Sequence, residues 1–259
     1  MGNLRDAVVR SLLSFFLLPF PNDLPDKGRQ TFLFPIQTSD FCPMPLHTTF
    51  ALNPDCRVVL WRIEEDEPTL RAHLVLTAPE QADLDGITHP NQRVEWLACR
   101  VAVQTLAQAH HYLYRGLVKD EYGKPHLLQP ESAGSPAHIS ISHTGGWAAA
   151  VWHQNRPVGI DIEPIRAQFT RVVPRVLSEA EIEHAAGRAD RLAVYWCAKE
   201  CLYKLYGKRQ LTFREHLHIE PFADGAERLT GHVRLPDHEE TLQIHCWAIG
   251  PGLLAVACP

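Results

Sequence analysis

Two long amphipathic segments, each lying between stretches of short apolar strands, govern the architecture that this sequence can adopt. The first runs from Gln92 to His110 with apolar side chains at helical spacing, and the second runs from Arg191 to Tyr206 and is followed by a glycine. The order strand, helix, strands therefore occurs twice, once before about Gln154 and once after it. This order predicts an α+β fold of two similar α/β halves in a pseudo-twofold relation, with a site at the seam between them.

Residues 1–43 differ in composition and in hydrophobic pattern from the rest of the chain. They are rich in proline and show no long periodicity, whereas the segment that opens at Met44 reads as the start of a domain. We therefore divide the chain into an N-terminal tail or extension of unknown role (1–43), an N-terminal half (44–154) and a C-terminal half (155–259). On this interpretation Met44 is an alternative start of the functional protein.

Short strands are predicted around both long helices from β-branched or alternating residues. They are Arg57–Ile63, His138–Ser142, Trp147–Trp152, Val158–Glu163, Leu242–Ile249 and Leu253–Cys258. The three strands between residues 138 and 163 are joined by short turns, which predicts an antiparallel meander. Two short helices are expected at 67–76 and 79–86, and a capping box formed by Ser178 and Glu181 predicts the start of a further helix.

Charge and hydropathy exclude two broad classes of partner. The formal net charge of −5 argues against a surface built to bind nucleic acid. Apolar runs stay below membrane-spanning length, and the one that comes nearest, Leu12–Phe20, is interrupted by Ser14 and Pro19. We therefore expect neither nucleic acid nor a membrane among the partners.

The seven cysteines follow neither a disulfide framework nor a zinc pattern. Their number is odd, and no pair has C-x-x-C spacing. Cys197 and Cys201 lie one helical turn apart without a histidine or cysteine at zinc spacing, so we interpret them as small apolar residues of a helix. A reducing cytosol is the simplest compartment for such a chain, and we expect a cytoplasmic protein.

Two pairs of charged residues predict a site for a divalent cation. Asp161 and Glu163 are one residue apart on a strand and share a face, while Glu200 and Lys204 share a face of the second long helix. Carboxylate oxygens from two elements suit a hard cation such as Mg²⁺, and a nearby lysine suits phosphate or an acidic proton. The alternative interpretations are a solvated edge strand for the first pair and a surface salt bridge for the second.

The segment from Ser142 to Gly146 offers a hydroxyl, an imidazole and glycine amides at the end of a strand. Such a turn can hold an anion such as phosphate. A nucleophilic pair of Ser142 and His143 is disfavoured, because adjacent residues of a strand point to opposite faces.

Together these residues resemble the 4′-phosphopantetheinyl transferases of the surfactin-synthetase-activating type. Gly159–Glu163 matches the Gly-x-Asp-x-Glu pattern of that family, and Trp196–Lys204 matches its Trp-x-x-Lys-Glu-x-x-x-Lys block. Further matches in the same order are Arg93–Arg100, Gly123–Pro125 and Ile141–His143. The resemblance runs from about Met44 to the C-terminus and does not include the N-terminal tail.

The resemblance implies an enzyme that transfers the phosphopantetheine arm of coenzyme A to a serine of an acyl or peptidyl carrier protein. Adenosine 3′,5′-bisphosphate would be released, and Mg²⁺ would be held by Asp161, Glu163 and Glu200. Either Glu200 or Lys204 would take the proton of the serine, and the sequence leaves this choice open. We expect the enzyme to act as a monomer.

The resemblance also implies which residues contact coenzyme A. Ser142, His143 and Lys204 would contact the phosphates, with Lys124, Arg93 and Arg100 near the adenosine bisphosphate end. A separate group of arginines is a candidate for meeting the acidic surface of the carrier, with a solvated loop as the alternative interpretation. This group consists of Arg166, Arg171 and Arg175.

Two other functions stay open from the sequence. A Mg²⁺-dependent nucleotide or coenzyme A pyrophosphate hydrolase would use the same acids with water as the nucleophile. A non-catalytic module that binds coenzyme A or a carrier is disfavoured, because a binder has no need to keep all four residues Asp161, Glu163, Glu200 and Lys204.

Overall fold

Two antiparallel sheets, each covered by one long helix, make up the part of the chain that can be described. The computed structural model describes residues 48–128, 137–165, 173, 175–208 and 211–259. All of them belong to one compact unit, residues 37–259. The predicted tail (1–43), the alternative start at Met44, and Arg166 and Arg171 lie outside the described residues.

The described strands and helices are numbered here in chain order. The strands are β1 (Thr48–Asn53), β2 (Cys56–Arg62), β3 (Leu117–Lys119), β4 (Pro125–Leu127), β5 (His138–Thr144), β6 (Trp147–His153), β7 (Gly159–Pro164), β8 (Leu217–Ile219), β9 (Arg228–Leu235), β10 (His238–Ile249) and β11 (Gly252–Ala257). The helices are α1 (Glu67–Ala72), α2 (Ala78–Asp85), α3 (Pro90–Ala109), α4 (Glu179–Ala185), α5 (Ala189–Tyr206) and α6 (Phe213–His216).

The first sheet has the strand order β1-β2-β6-β5 and carries α3 on one face. Helix α3 begins with Pro90, whose missing N–H is not needed in the first turn. Its apolar stripe, which includes Leu97 and Leu106, packs on the fully buried Trp61 and Trp152. A small separate hairpin of β3 and β4 connects α3 to this sheet.

The second sheet has the order β7-β11-β10-β9-β8, and α5 packs against it. Even-numbered side chains of β7, Ile160 and Ile162, enter a core shared with β2 and β6 of the first sheet. The odd-numbered positions therefore face α5. On that side Gly159 leaves no room for a side chain, because a Cβ there would meet the backbone of Cys201 and lie 2.8 Å from the nitrogen of Leu205.

The close approach at Gly159 sets the geometry of everything that follows along β7. Because the strand touches the backbone of α5 at this point, the side chains two and four residues later lie against the same helix. Those residues are Asp161 and Glu163. Helix α5 itself ends at Gly207, which adopts a left-handed conformation with φ of 74°.

The predicted meander is wrong at its third strand. Strands β5 and β6 form an antiparallel hairpin as predicted, but β7 pairs with β11 and begins the second sheet. It lies beside β5 through side chains, because the backbone N–H groups of Ile160 and Ile162 donate to the hydroxyls of Ser140 and Ser142. Alternation in a sequence indicates a strand but does not say which ladder the strand joins.

The mixed α and β composition of the fold is confirmed, and the bounds of the predicted elements agree with the structure to within a few residues. The pseudo-twofold relation of the halves and their division at residue 154 stay predictions. The three-residue strands β3, β4 and β8 and the longer β1 and β9 were not predicted. Three residues are too few to display a period, so such strands give no signal in a sequence.

The cysteines correct one expectation and confirm another. Cys56 of β2 and Cys258 are paired as a disulfide across 202 residues of sequence, which no spacing rule predicts. Cys197 and Cys201 are buried thiols, and Cys201 donates to the carbonyl oxygens of Gly159 and Ala255. They are core residues of α5, as predicted. Among the described residues, no helix is long and apolar enough to cross a membrane.

Candidate active site

Strand β7 and helix α5 bring three carboxylates and one lysine together. Asp161 and Glu163 come from the face of β7 that meets the helix, and Glu200 and Lys204 come from successive turns of α5. Asp161 is 3% exposed and Glu200 is 9% exposed. Neither pair is a solvated surface feature, so both of the alternative interpretations made from the sequence are wrong.

The two oxygens of Asp161 have different surroundings. Oδ1 accepts hydrogen bonds from the hydroxyl of Ser142 at 2.9 Å and from Nζ of Lys204 at 2.7 Å. Oδ2 is buried and has no hydrogen-bond partner within the described part of the chain. A buried carboxylate oxygen without a partner is unfavourable, so Oδ2 marks a position where a further positive or donating group fits.

Burial and mutual repulsion shift the pKa values of the other two carboxyls. Burial, followed by the charges of Asp161 and Glu200, raises the pKa of Glu163 to about 8. Burial and the charge of Asp161 raise the pKa of Glu200 to about 7. Burial opposes the charge of Lys204, but the neighbouring carboxylates outweigh it and raise the pKa of this lysine above its usual range. The cluster therefore holds more negative charge than its one lysine neutralises.

The donor set fits a hard divalent cation that a substrate completes. Among the described residues, no three acidic, histidine or cysteine side chains stand as a ready-made ligand set. One oxygen of Asp161 is occupied by Lys204, and Glu163 accepts a hydrogen bond from the indole of Trp196 at 3.3 Å. Mg²⁺ commonly uses one or two protein carboxylates together with waters and substrate phosphates, and the unpartnered Oδ2 of Asp161 suits that arrangement.

Lys204 connects the acid cluster to a cavity of about 630 Å³. The cavity lies between α2, α3, the β3–β4 hairpin, β5 and the end of α5. Four basic side chains line it, together with the imidazole ring of His143. The four basic residues are Arg100, Lys119, Lys124 and Lys204. Arg100 and Lys119 are paired with Glu80 and Asp83, which also line the cavity, so Lys124 and Lys204 are the cations without a carboxylate partner from the lining. Such a lining suits a polyanionic ligand.

His143 faces the cavity, whereas Ser142 is buried in the acid cluster. The ring nitrogen Nδ1 of His143 lies 3.0 Å from the carboxylate of Glu95 on α3, and its side chain is 40% exposed. The contact orients the ring and leaves Nε2 available toward the cavity. Glu95 was not identified from the sequence, because nothing in the spacing links residue 95 to residue 143.

Lys124 joins the hairpin to the end of α5. Its Nζ donates to the carbonyl oxygen of Leu205 at 2.9 Å, and its aliphatic part packs where Gly207 has no side chain. A cation at a helix C-terminus interacts favourably with the free carbonyls of the last turn. Burial lowers the pKa of Lys124 to about 8, so its charge is easily lost.

The two predicted arginines of α3 have structural partners. Arg100 lines the cavity but is 4% exposed, forms an ion pair with Glu80 at 3.1 Å, and stacks on the indole of Trp96. Arg93 is not among the described residues that line the cavity. It forms an ion pair with Glu67 at 2.6 Å and donates to the carbonyl oxygen of Ile87. The structure therefore does not bring Arg93 to the other predicted ligand contacts.

Lys199, the neighbour of Glu200 in the sequence, points away from the cluster. It is fully buried, and its ammonium group donates to Glu181 at 2.6 Å and to the carbonyl oxygens of Val176 and Phe213. Glu181 in turn caps α4 and accepts from the N–H of Ile219. One helix thus carries a lysine for the fold and a lysine for the site.

Two comparisons with known proteins bear on the family of this chain. Residues 157–257 match the family model described as the 4′-phosphopantetheinyl transferase superfamily. The chain is also similar to a protein of Bacillus pumilus named 4′-phosphopantetheinyl transferase psf-1, with 27% identity over 161 residues that cover 56% of this chain and 67% of that protein. The matched segment 157–257 contains both β7 and α5. The family resemblance seen in the motifs, and the enzyme class that it implied, are confirmed.

Proposed function

We propose that this chain belongs to the 4′-phosphopantetheinyl transferase superfamily and transfers the 4′-phosphopantetheine group of coenzyme A to a serine of an acyl or peptidyl carrier protein. One observation carries the proposal. Lys204 lines the cavity and also contacts Asp161, so a polyanion in the cavity would place its phosphates beside the carboxylates of β7 and α5. A pyrophosphate is the group that needs both a basic cavity and a divalent cation.

The reaction exchanges one phosphorus–oxygen bond for another. The serine oxygen of the carrier forms a bond to the phosphorus on the pantetheine side of the pyrophosphate, and the bond from that phosphorus to the bridging oxygen breaks. Adenosine 3′,5′-bisphosphate leaves with the bridging oxygen, and the serine proton passes to a base of the enzyme. The cavity and its cations hold the leaving group, which carries most of the charge.

We assign the base to Glu200 and the phosphate contact to Lys204. Lys204 is a cation that already donates to Asp161 and Ser142, so it is arranged to give hydrogen bonds and has no lone pair to accept a proton. The carboxyl of Glu200 has lone pairs that can accept a proton, and in the cation-free protein burial and the charge of Asp161 raise its pKa to about 7.

Asp161, Glu163 and Glu200 would hold Mg²⁺, with coenzyme A as the co-substrate. The ion supplies neutralisation of the charge that develops on the leaving group. His143 and Lys124 would contact the phosphates of coenzyme A from the cavity, and Arg100 would form part of the wall. We do not extend this role to Arg93, because its guanidinium is engaged by Glu67 and backbone carbonyls.

We propose that the enzyme acts as a monomer. We propose that it works in the cytoplasm; among the described residues four cysteines are buried free thiols, while Cys56 and Cys258 are paired. Arg175, the described member of the basic group predicted to meet the carrier, is exposed. The two similar halves and their pseudo-twofold relation belong to the same proposal, with β5 and β7 as the strands that meet between them.

Incubation with coenzyme A, Mg²⁺ and an apo-carrier protein tests the function. We expect a gain of one phosphopantetheine group in the mass of the carrier, release of adenosine 3′,5′-bisphosphate, and loss of both when EDTA removes the cation. Cleavage of coenzyme A without a change in the carrier would instead identify the pyrophosphate hydrolase. The two comparisons favour the transferase over that alternative.

A further inference from the structure

Two serines of β5 join the two sheets in the same way. The hydroxyl of Ser140 accepts the backbone N–H of Ile160 at 3.2 Å, and the hydroxyl of Ser142 accepts that of Ile162 at 3.3 Å. Both serines are buried, at 3% and 7% exposure. Because the accepting and donating residues both advance by two, β5 and β7 run in the same direction at this junction.

Ser142 makes two further hydrogen bonds, which have no counterpart at Ser140 among the described residues. Its hydroxyl donates to Oδ1 of Asp161 at 2.9 Å and accepts from Nζ of Lys204 at 3.0 Å. A serine hydroxyl has one proton to donate and two lone pairs to accept with. The bonds to Asp161, Lys204 and the N–H of Ile162 therefore use its whole capacity.

A saturated hydroxyl is poorly placed to bind a phosphate. Any contact from Ser142 to a ligand would break one of its three existing bonds and leave a buried polar group unpaired, which is unfavourable. Among the described residues that line the cavity, His143 is present and Ser142 is not. The phosphate contact implied for this residue by the family resemblance therefore has no support in the geometry.

We propose that Ser142 is a positioning residue for Asp161, and through Asp161 for the divalent cation. Its O–H holds Oδ1 in place beside Lys204, so that the remaining oxygen, the buried and unpartnered Oδ2, faces the cation. A hydrogen bond to the other atom of a ligating group is the usual way in which a protein orients a metal ligand. This inference rests on the proposed function for the presence of a cation beside Asp161.

Ser140 provides a matched control within the same strand. Ser140→Ala removes a hydroxyl from the same sheet junction but leaves the bonds of Asp161 and Lys204 intact. Any effect that comes only from weakening the junction appears in both alanine variants. An effect that appears in Ser142→Ala alone belongs to the acid cluster.

Titration with Mn²⁺ in the presence of saturating coenzyme A and without a carrier, followed by electron paramagnetic resonance, measures the cation site without any transfer. We expect the Kd for Mn²⁺ to rise about tenfold in Ser142→Ala, a typical effect of losing such a partner, and to stay within about twofold of wild type in Ser140→Ala. Ser142→Thr keeps the hydroxyl and should restore most of the affinity. Equal Kd values in the two alanine variants, or a wild-type protein that binds no Mn²⁺, would overturn the proposal.

Calorimetric titration with coenzyme A in EDTA separates positioning from phosphate binding. We expect unchanged affinity in Ser142→Ala and a loss in His143→Ala, because only the histidine faces the cavity. If Ser142→Ala weakens metal-free coenzyme A binding as much as it weakens Mn²⁺ binding, the residue is a phosphate contact and the inference is wrong. Should the alanine variant fail to fold, Ser142→Cys supplies the same test with a weakly bonding side chain of similar size.

The carrier assay on the same wild-type preparation keeps this inference apart from the proposed function. A wild-type protein that modifies the carrier, combined with equal Mn²⁺ affinity in both alanine variants, refutes the role of Ser142 alone. A wild-type protein that leaves the carrier unmodified, combined with a selective loss of Mn²⁺ affinity in Ser142→Ala, refutes the transfer reaction and supports the role of Ser142.

Discussion

Helix α5 carries Lys199 on one side and Lys204 on another, and the two ammonium groups have different surroundings. Lys199 is fully buried and gives all three of its N–H bonds to fixed partners, namely Glu181 and two backbone carbonyls. Lys204 is also held, by Asp161 and Ser142, but it lines the cavity, and no third acceptor for its ammonium group is seen in the described part of the chain. The first region is closed and the second is open to a ligand.

The difference lies in the balance of charge and hydrogen bonds. On the Lys199 side, Glu181 accepts from the lysine, from the N–H of Ser178 and from the N–H of Ile219. On the Lys204 side, three carboxylates share one lysine, and one oxygen of Asp161 has no partner among the described residues. A buried charge that is fully paired serves the fold, whereas an excess of one sign indicates a group still to be bound.

The largest expected effect comes from removing charge on the open side. Asp161→Asn keeps the size of the side chain but removes a charge of the cation site, so we expect the rate of transfer to fall about 1,000-fold. The free energy of unfolding should not fall, since the repulsion with Glu163 and Glu200 decreases. Initial rates from carrier mass spectra and urea unfolding measure the two quantities. A transfer rate within about tenfold of wild type would contradict the proposal that Asp161 belongs to a cation site.

A smaller effect of the opposite kind is expected on the closed side. Lys199→Met leaves the carboxylate of Glu181 buried without its counter-charge, so the free energy of unfolding should fall by about 3 kcal/mol. Lys204→Met on the same helix is the matched control, and it should lower the transfer rate with less loss of stability. Urea unfolding of both variants measures the change in the free energy of unfolding. If Lys204→Met costs as much stability as Lys199→Met, the two sides do not differ in the way proposed.

The smallest effect concerns pH and Lys124, which bridges the hairpin and the end of α5. The pKa of this lysine is lowered to about 8, so the group is charged below that pH and becomes neutral as the pH rises through it. Affinity for coenzyme A should therefore fall by up to about tenfold between about pH 7 and pH 9, the value of one charge-assisted hydrogen bond. Lys124→Arg stays charged, and calorimetry should show a flatter profile for it. Identical pH profiles of the wild type and Lys124→Arg would show that Lys124 does not contact the phosphates.

Local rules of sequence recovered much of the fold and of the site. The bounds of α3 and α5, the capping box at Ser178, and the strand carrying Asp161 and Glu163 all follow from periodicity and capping chemistry. The motif spacing likewise indicated that Asp161, Glu163, Glu200 and Lys204 act together. These properties depend on residues that are near one another in the chain, so they can be predicted from the sequence.

The partners of each charged group could not be predicted in the same way. Nothing in the sequence distinguishes Arg93, which pairs with Glu67, from Arg100, which pairs with Glu80 and lines the cavity. Nor does it say that His143 meets Glu95, 48 residues away. Such contacts depend on how helices and sheets pack, and packing joins residues that are distant in the chain.

By itself the sequence determined six of the described strands, the two long helices and the charged residues from which a cation-dependent phosphoryl-transfer site is predicted. Only the tertiary structure decided that β7 leaves the β5–β6 hairpin for a second sheet, so that Ser142 meets Asp161 and Lys204 across the junction. It also decided which lysine of α5 is closed into the fold and which opens onto the cavity. The physical reason is that periodicity sets the face on which a side chain lies, while its partner depends on which element packs against that face.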